Sequence, residues 1–553
     1  MLPLRCARLL PLMCLMLTAC GRCGGDTASV DDPDSPRLAL VLHLPGDTLA
    51  LGHSGDLNEA LAGYLGAREQ LELITSDLGL LETDLTNTLG LDLRRPETLR
   101  DAGIDLERGA LAFALNGEPV VMVATGNSER FEERLTAVLT SQPVALDATP
   151  ERIPLDVGEL ILYRRQGEQT VIAAALVRSD HVVIWPNEPS DAAASASALL
   201  AVTPDTSLAT SESFHALWGE RQADTPMCAW VSELAGEEAE GPGSALRDAL
   251  GEAATGFAEL LGVEAQGILA CARLDESGVG AALTLETSGN VIGEFSPPTA
   301  DPAFASLIDE NTQAVLRWTI PSSLLFDVAT RLSGDDLTAI AAPYEQDLGI
   351  SFETVVEEAF GSRGALLITR TRALTLRRAT MQNAPGDWAS GLGLVAVVEL
   401  KQRDLTERLL RSIAANMGDG ASVFEEDGRV IVGFNNSESD IGNLVLDSDR
   451  LFIIPSRQRA DLLTQIAAGD GASIGVLRGE GSQALMTGRS VNGLYLDLAR
   501  IVDGPIGQLG TARLPDEAKR AIALFDHALV DVAFNDARVN ASLNFRFSPP
   551  ETP

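Results

Sequence analysis

Residues 170–186 read Thr170-Val-Ile-Ala-Ala-Ala-Leu-Val-Arg-Ser-Asp-His-Val-Val-Ile-Trp-Pro186. Two apolar runs, Thr170–Val177 and His181–Trp185, flank the polar triplet Arg178-Ser-Asp180. That pattern predicts two strands and a hairpin turn. Just upstream, Leu160–Arg164 reads as a third strand. Further out lie Gly109–Leu115 and Val120–Ala124, another pair joined by a short loop. Short loops between adjacent strands mean antiparallel pairing. Helical stretches interrupt these strands without alternating strictly with them. One carries Phe131, Leu135, Val138 and Leu139 on one face at helical spacing. Others are expected at Asp56–Leu93, Ala192–Leu200, Ser213–Trp218 and Leu246–Leu261. A closing hairpin, Gly267–Leu274 with Gly280–Leu285, turns at Asp275-Glu-Ser-Gly278. The fold class expected is α+β, an antiparallel sheet with helices packed on one face.

The same order of segments occurs twice. Arg108-Gly-Ala-Leu111 is matched by Arg363-Gly-Ala-Leu366, and Val120-Val-Met-Val-Ala124 by Leu394-Val-Ala-Val-Val398. Glu133-Arg-Leu135 is matched by Glu407-Arg-Leu409. Ser179-Asp-His-Val-Val-Ile-Trp-Pro186 is matched by Ser448-Asp-Arg-Leu-Phe-Ile-Ile-Pro455. The expected opening strand Leu38–Pro45 parallels Val315–Pro321, and both halves close on Phe-Ser-Pro-Pro, at Phe295–Pro298 and Phe547–Pro550. Two tandem copies of the module are therefore expected, at residues 37–295 and 313–548. The Pro-rich stretch 296–312 would link them and residues 549–553 would form a tail.

The N-terminus speaks to the compartment. Arg5 and Arg8 precede the apolar run Leu9–Leu17, which is too short to span a bilayer as a helix. The run ends in Leu17-Thr-Ala-Cys20-Gly21. This stretch resembles the lipobox of bacterial lipoproteins. The resemblance implies a signal peptide at 1–19, cleavage after Ala19 and a diacylglyceryl group on the Cys20 thiol. It also implies two or three acyl chains, enough for stable anchoring. Residues 20–36, rich in Gly, Asp, Ser and Pro, then read as a lipidated flexible tether. Gly21 stands where some bacteria use aspartate as a sorting signal. The expected location is the cell envelope, the outer membrane rather than the inner.

Composition narrows the partners. The 553 residues carry a formal net charge of −38, which becomes −40 once Arg5 and Arg8 leave with the signal. Such a surface repels nucleic acid, and 5% aromatic content offers no base-stacking platform. Of six cysteines, Cys6 and Cys14 belong to the signal, Cys20 takes lipid, and Cys23 sits in the tether. Cys228 and Cys271 lie in apolar segments that read as buried strands. In an oxidising compartment they are the candidate disulfide pair. The alternative is two buried thiols acting as small hydrophobes.

The motifs that could carry chemistry each fail on context. No two of His43, His53, His181, His215 and His527 stand at the spacing of a helical metal site, and structural or solvent-facing roles are expected for them. Gly471-Ala-Ser473-Ile-Gly475 matches a nucleophile elbow, with His527 downstream, but a helix at Arg459–Ala467 precedes it where a strand is needed. Gly391-Leu-Gly-Leu-Val-Ala396 precedes a strand, so it is no dinucleotide fingerprint. Gly479-Glu-Gly-Ser-Gln-Ala484 lacks a βαβ setting. The aspartates at 31–34, 101–105 and 447–449 lack EF-hand spacing and suit turns and caps. Arg134 and Arg408 hold equivalent helix positions, with Asp404 and Arg408 as an i, i+4 pair. No catalytic residue, cofactor or metal site is expected.

Ser207-Leu-Ala-Thr-Ser-Glu-Ser-Phe214, followed by a short helix and the strand Met227–Leu234, resembles a segment of secreted bacterial proteins of an uncharacterised domain-of-unknown-function family. Gly103-Ile-Asp105 ahead of the Arg108 strand shares that look. The second half departs from it, reading Ser473-Ile-Gly-Val-Leu-Arg-Gly-Glu480. The resemblance implies a non-catalytic envelope protein. Its expected partners are the membrane, through Cys20, and another envelope protein bound by the module acting as a scaffold. The alternative is a carrier of a lipid or other hydrophobic ligand in a cavity between sheet and helices. A cryptic enzyme is the third reading.

Overall fold

The structure, a computed structural model, describes residues 39–548 apart from short internal stretches and the longer ones 233–263, 289–306, 377–390, 455–491 (where Thr464 and Leu477 are described) and 506–521. The signal, Cys20, Cys23, the tether, the helix expected at Leu246–Leu261, Ser473 and the Gly479 motif all lie outside the described residues.

Twenty strands are described and make one antiparallel sheet. The chain divides near residue 290 into two compact units. In the first, the strands are β1 (Ala50–Ser54), β2 (Ala110–Leu115), β3 (Glu118–Ala124), β4 (Thr149–Pro154), β5 (Glu159–Arg164), β6 (Val171–Val177), β7 (His181–Trp185), β8 (Met227–Ser232), β9 (Ala265–Asp275) and β10 (Gly278–Thr287). Their pairings give the order β4-β5-β6-β7-β3-β2-β1-β8-β9-β10. Its helices are α1 (Leu57–Ile74), α2 (Pro96–Asp101), α3 (Ser128–Ser141), α4 (Ala192–Leu200) and α5 (Glu212–Trp218).

The second unit holds β11 (Thr312–Thr319), β12 (Phe360–Thr369), β13 (Leu394–Leu400), β14 (Ala421–Glu426), β15 (Arg429–Phe434), β16 (Asn443–Leu446), β17 (Arg450–Ile454), β18 (Asn492–Asp497), β19 (Phe525–Asn535) and β20 (Arg538–Phe547). Their order is β14-β15-β16-β17-β13-β12-β11-β18-β19-β20. This is the first order with every number raised by ten. The helices are α6 (Asp335–Leu348), α7 (Phe352–Ala359), α8 (Arg403–Met417) and α9 (Leu498–Asp503).

The expected architecture, separate sheet modules with helices packed on one face, is overturned. The strands belong to a single twenty-stranded antiparallel sheet, and the helices form no layer over one side of it. In the first unit, Leu160, Leu162, Ala174, Leu176 and Trp185 point into a core shared with Ala192, Ala196 and Leu199 of α4 and Phe214, Leu217 and Trp218 of α5. The alternate residues Ile161, Tyr163, Ala173, Ala175 and Val182 point the other way, against Phe131, Leu135 and Leu139 of α3. Successive strand residues face opposite sides, so Leu160-Ile-Leu-Tyr163 is apolar on both faces because both are covered. A one-sided sheet would alternate apolar with polar residues. In the second unit, Leu410 and Ala414 of α8 pack with Val430, Val432, Leu446 and Leu451, while Ile431, Val445, Phe452 and Ile454 join a different cluster.

Two further differences from expectation have local causes. The opening strand of the first half is β1, at Ala50–Ser54. The stretch read as a strand at Leu38–Pro45 instead contains a 3-10 turn, Val41–His43. Leu40, Val41 and Leu44 are all fully buried, a one-sided i, i+4 spacing that an apolar run alone does not distinguish from a strand. Strand β4 was not expected, since Thr149-Pro-Glu-Arg-Ile-Pro154 is polar and holds two prolines. It is an edge strand, where proline is tolerated because one side needs no ladder bond.

The matched Arg-Gly-Ala segments place glycine in the same position for two reasons. Gly109 has φ +72°, and a Cβ there would lie 1.7 Å from the Ser54 carbonyl oxygen. A Cβ on Gly364 would instead meet the Trp318 indole at 2.2 Å. Close backbone approach forbids a side chain in the first unit, and a packed aromatic ring does so in the second.

Cys228 and Cys271 stand directly opposite each other on β8 and β9. Their sulfurs are 2.09 Å apart and their Cα atoms 4.0 Å apart. The bond spans 43 residues of sequence and so restricts the unfolded chain substantially. The double variant Cys228→Ala/Cys271→Ala is expected to unfold about 2–4 kcal/mol more easily. Urea unfolding measures this, and an unchanged midpoint in oxidised and reduced wild type would show that no bond forms.

Glu82 is buried and gathers three donors. Arg68 Nε is 2.7 Å from Oε1, the Tyr64 hydroxyl 2.8 Å from Oε1, and Arg94 Nε 3.1 Å from Oε2. Burial alone would raise this carboxyl, but the hydrogen bonds from Arg68, Arg94 and Tyr64 outweigh it and hold the pKa at about 2. The folded value lies below the ordinary 4.5, so the stabilisation is present above pH 4.5 and is lost as pH falls towards 2. Glu82→Gln is expected to lose about 3 kcal/mol at neutral pH and to flatten the acid limb of the stability–pH curve.

Candidate functional site: a His-Asp-His cluster

The fold brings His43, Asp180 and His181 together, and each arrives by a different local device. His43 ends the 3-10 turn Val41–His43. That turn is held down by the Ser207 segment. The Ser207 hydroxyl donates to the Val41 carbonyl at 3.0 Å and accepts from the Ala209 amide at 3.1 Å. Backbone bonds Leu208 N to Leu44 O at 2.9 Å and Gly46 N to Thr206 O at 2.9 Å complete the attachment. Asp180 and His181 come from the β6–β7 hairpin. The Arg178 amide donates to the His181 carbonyl at 3.0 Å, closing the turn, and the Thr125 amide at the end of β3 donates to the Asp180 carbonyl at 2.9 Å.

Around the Asp180 carboxylate the charges are close. His181 Nδ1 is 2.9 Å from Oδ1, although that nitrogen makes no well-aligned hydrogen bond. The contact is thus a close approach of a ring nitrogen to a carboxylate oxygen. His43 Nε2 is 3.6 Å from Oδ2. Arg108, just ahead of Gly109 and β2, places its guanidinium 3.5 Å from the same Oδ2 and 4.0 Å from Asp105 Oδ2. The two imidazole rings lie 4.4 Å apart, tilted by 34°. His181 is buried, while the side chains of His43 and Asp180 are 27% and 37% exposed. The cluster thus has one buried and one solvent-facing side.

The titrations follow from this placement. Contact with His181 first, then with His43, holds the Asp180 carboxyl far below the ordinary carboxylate range. Burial pushes the His181 imidazole below its ordinary value, against the opposing pull of Asp180. The resulting site is a carboxylate with a depressed pKa between two imidazole nitrogens, one of them on a buried ring. The donor atoms of the three residues all lie within 4.8 Å of one another. This donor set suits a metal ion, or an Asp–His pair in proton transfer.

Sequence reading gave these histidines structural roles because no local spacing connects them. The other three histidines lie outside this cluster. His53 is buried edge-on to Trp218, with ring centroids 5.3 Å apart. The His215 ring contacts the Ala209 carbonyl, and His527 Nδ1 lies 3.0 Å from Asp526 Oδ2. The one sequence signal for convergence was the hairpin turn, which fixed Asp180 beside His181. In the matched segment of the second half, Asp449 is followed by Arg450, whose guanidinium lies 3.8 Å from the carboxylate.

Other residues singled out from the sequence are not part of this cluster. Asp447 accepts from Arg429 Nε at 3.1 Å in the β16–β17 turn. Arg134 and Arg408 are both exposed. Arg408 forms no ion pair with Asp404 and donates to the Leu348 carbonyl at 3.3 Å. Gly391-Leu-Gly393 immediately precedes β13.

Two surface clefts are also present. One of about 380 Å³ is lined by Glu310, Asn311, Gln313, Thr371, Arg500 and Asp503. Another of about 360 Å³ is lined by Pro45, Gly46, Asp47, Ala198, Val202 and Thr206. Neither has leucine or phenylalanine in its lining.

No family model and no curated protein matches the chain. Among solved structures, a protein described as crystal form I of TP0453 is similar to it at 7% identity with a TM-score of 0.22. The match covers 45% of this chain and 78% of that one, a likeness too slight to carry an argument about fold or role.

Ser207 is 1% exposed and bonds both Val41 and Ala209, so its loss leaves a buried carbonyl and amide without that partner. Ser207→Ala is expected to cost about 1–3 kcal/mol. Urea unfolding reads this, and a cost near zero would mean that the hydroxyl does not hold the His43 turn in place.

Proposed function

We propose that this protein is a non-catalytic bacterial envelope lipoprotein, held at a membrane by acyl chains on Cys20, whose folded body acts as a binding or scaffold module. The observation that carries the proposal is the N-terminal series Arg5, Arg8, Leu9–Leu17 and Leu17-Thr-Ala-Cys20. A charged start, a short apolar run and a small-residue approach to cysteine are what lipid attachment to an exported chain requires. Among the described residues, no helix is long and apolar enough to cross a membrane, which leaves the acyl chains as the anchor in this reading. The outer membrane is the favoured site, because Gly21 is not the aspartate that retains some lipoproteins at the inner membrane.

The alternative, a lipid carrier, needs an enclosed apolar cavity; of the two clefts, the one at Glu310 is polar and charged, and the one at Pro45 is lined mostly by proline, alanine and valine. The strong negative charge suits a crowded anchored protein that must stay soluble and repel non-specific partners.

Expression of the full chain and of Cys20→Ser in a bacterial host tests the anchor. Wild type is expected in the detergent phase, with an N-terminal peptide beginning at Cys20 and heavier by its acyl groups. Cys20→Ser is expected in the aqueous phase. A wild-type chain with an unmodified Cys20 sinks the proposal. Native mass spectrometry of the wild-type protein separates the two body readings: a co-purifying lipid in the folded body supports the carrier.

A further inference from the structure

We propose that His43, Asp180 and His181 bind one divalent transition-metal ion of the zinc class, with Arg108 orienting the carboxylate from outside the coordination sphere. The inference concerns the folded body alone and does not rest on lipidation of Cys20.

The donors are of the right kind and number. Two imidazole nitrogens and one carboxylate are the ligand types that Zn²⁺ takes at about 2.0–2.2 Å, and three protein ligands leave one position for water. Ligands at that range in a tetrahedron stand about 3.3 Å apart. His43 Nε2 is 3.6 Å from Asp180 Oδ2, and His181 Nδ1 is 2.9 Å from Oδ1, so small side-chain rotations bring the three onto one ion. His181 Nδ1 is buried without a well-aligned hydrogen bond, a polar atom whose desolvation a ligated metal would offset. The half-exposed side of the cluster gives the ion a way in and leaves room for the water.

The surrounding charges are compatible. Arg108 lies 3.5 Å from Asp180 Oδ2 and 4.0 Å from Asp105 Oδ2. Its charge is therefore shared with a second carboxylate and does not oppose the ion unscreened. Outer partners that hold a metal-bound carboxylate are a general feature of metal sites. The second half of the chain supplies an internal comparison. There the hairpin carries Asp449 and Arg450, paired at 3.8 Å, so this strand end can satisfy its aspartate with a guanidinium. The two imidazoles of the first half exceed what the hairpin needs.

The test uses the mature protein in detergent, in a Cys23→Ser background that removes the tether thiol. It is stripped with a chelator and titrated with Zn²⁺ against a chromophoric competitor, and separately with Co²⁺ as a spectroscopic probe. One ion per chain is expected, with the intense visible bands of four-coordinate Co²⁺. His43→Ala and Asp180→Asn replace half-exposed side chains and should keep the fold, which circular dichroism checks. Each is expected to weaken Zn²⁺ binding more than tenfold and to abolish the Co²⁺ bands, while the matched variant Asp449→Asn leaves both unchanged. Absence of binding by wild type overturns the proposal. So does equal binding by folded His43→Ala or Asp180→Asn, which would place the ion elsewhere and leave the cluster as a structural Asp–His pair.

Discussion

Burial of the sheet on both faces is the constraint on which the rest of the structure depends. Leu160 and Leu162 face one core and Ile161 and Tyr163 the other. A strand of this kind cannot shift by one residue without exchanging the two sets of contacts. That fixes the register of β5 and β6, and with them the hairpin that carries Asp180 and His181. The helices follow from the same need. Helix α3 covers one face locally and α4 and α5 the other, because each patch of apolar strand surface must be removed from water.

The His43, Asp180 and His181 cluster then sits at strand ends and turns, where the two cores leave off. Asp180 and His181 lie where β6 turns into β7, Thr125 where β3 ends, and Arg108 where β2 begins. His43 reaches them from a turn that is not part of the sheet, anchored by Leu40, Val41 and Leu44 below and by Ser207 across. A rigid frame made by apolar packing thus holds a charged group of residues on its rim. The Glu82 cluster shows the contrasting case. There one buried carboxylate meets three donors of its own unit and its charge is fully engaged by them, so it serves stability and leaves nothing to present to a ligand.

Strands β2, β3 and β5 to β10 and helices α3 to α5 were legible in the sequence because they depend on local pattern. The runs at Ala110–Leu115, Glu118–Ala124 and His181–Trp185 are apolar and bounded by turn residues. Helix α3 has its apolar residues on one face and an Asn127 cap, whose side chain accepts from the Arg130 amide at 3.0 Å. The opening turn at Val41 was misread as a strand, because a short apolar run carries no periodicity that separates the two. The arrangement of helices was misread because an apolar run shows that a strand is buried without showing what covers each side. The continuous runs at 160–163 and 173–176 did hold the signal for two-sided burial, since a one-sided strand would have alternated.

The sequence by itself determined what neighbours in the chain decide: the strand and helix segments, the hairpin at Arg178–Asp180, the acidic surface, the apolar setting of Cys228 and Cys271, and the N-terminal pattern from which lipidation is proposed. Only the tertiary structure decided which distant segments meet. The opposition of Cys228 and Cys271 across β8 and β9, and the meeting of His43 with Asp180 and His181, arise from strand order and from a turn packed against Ser207. Residue spacing in the chain fixes side-chain geometry only over a turn or a hairpin. Beyond that, contact is set by how apolar surfaces pack, and that is a property of the whole folded unit.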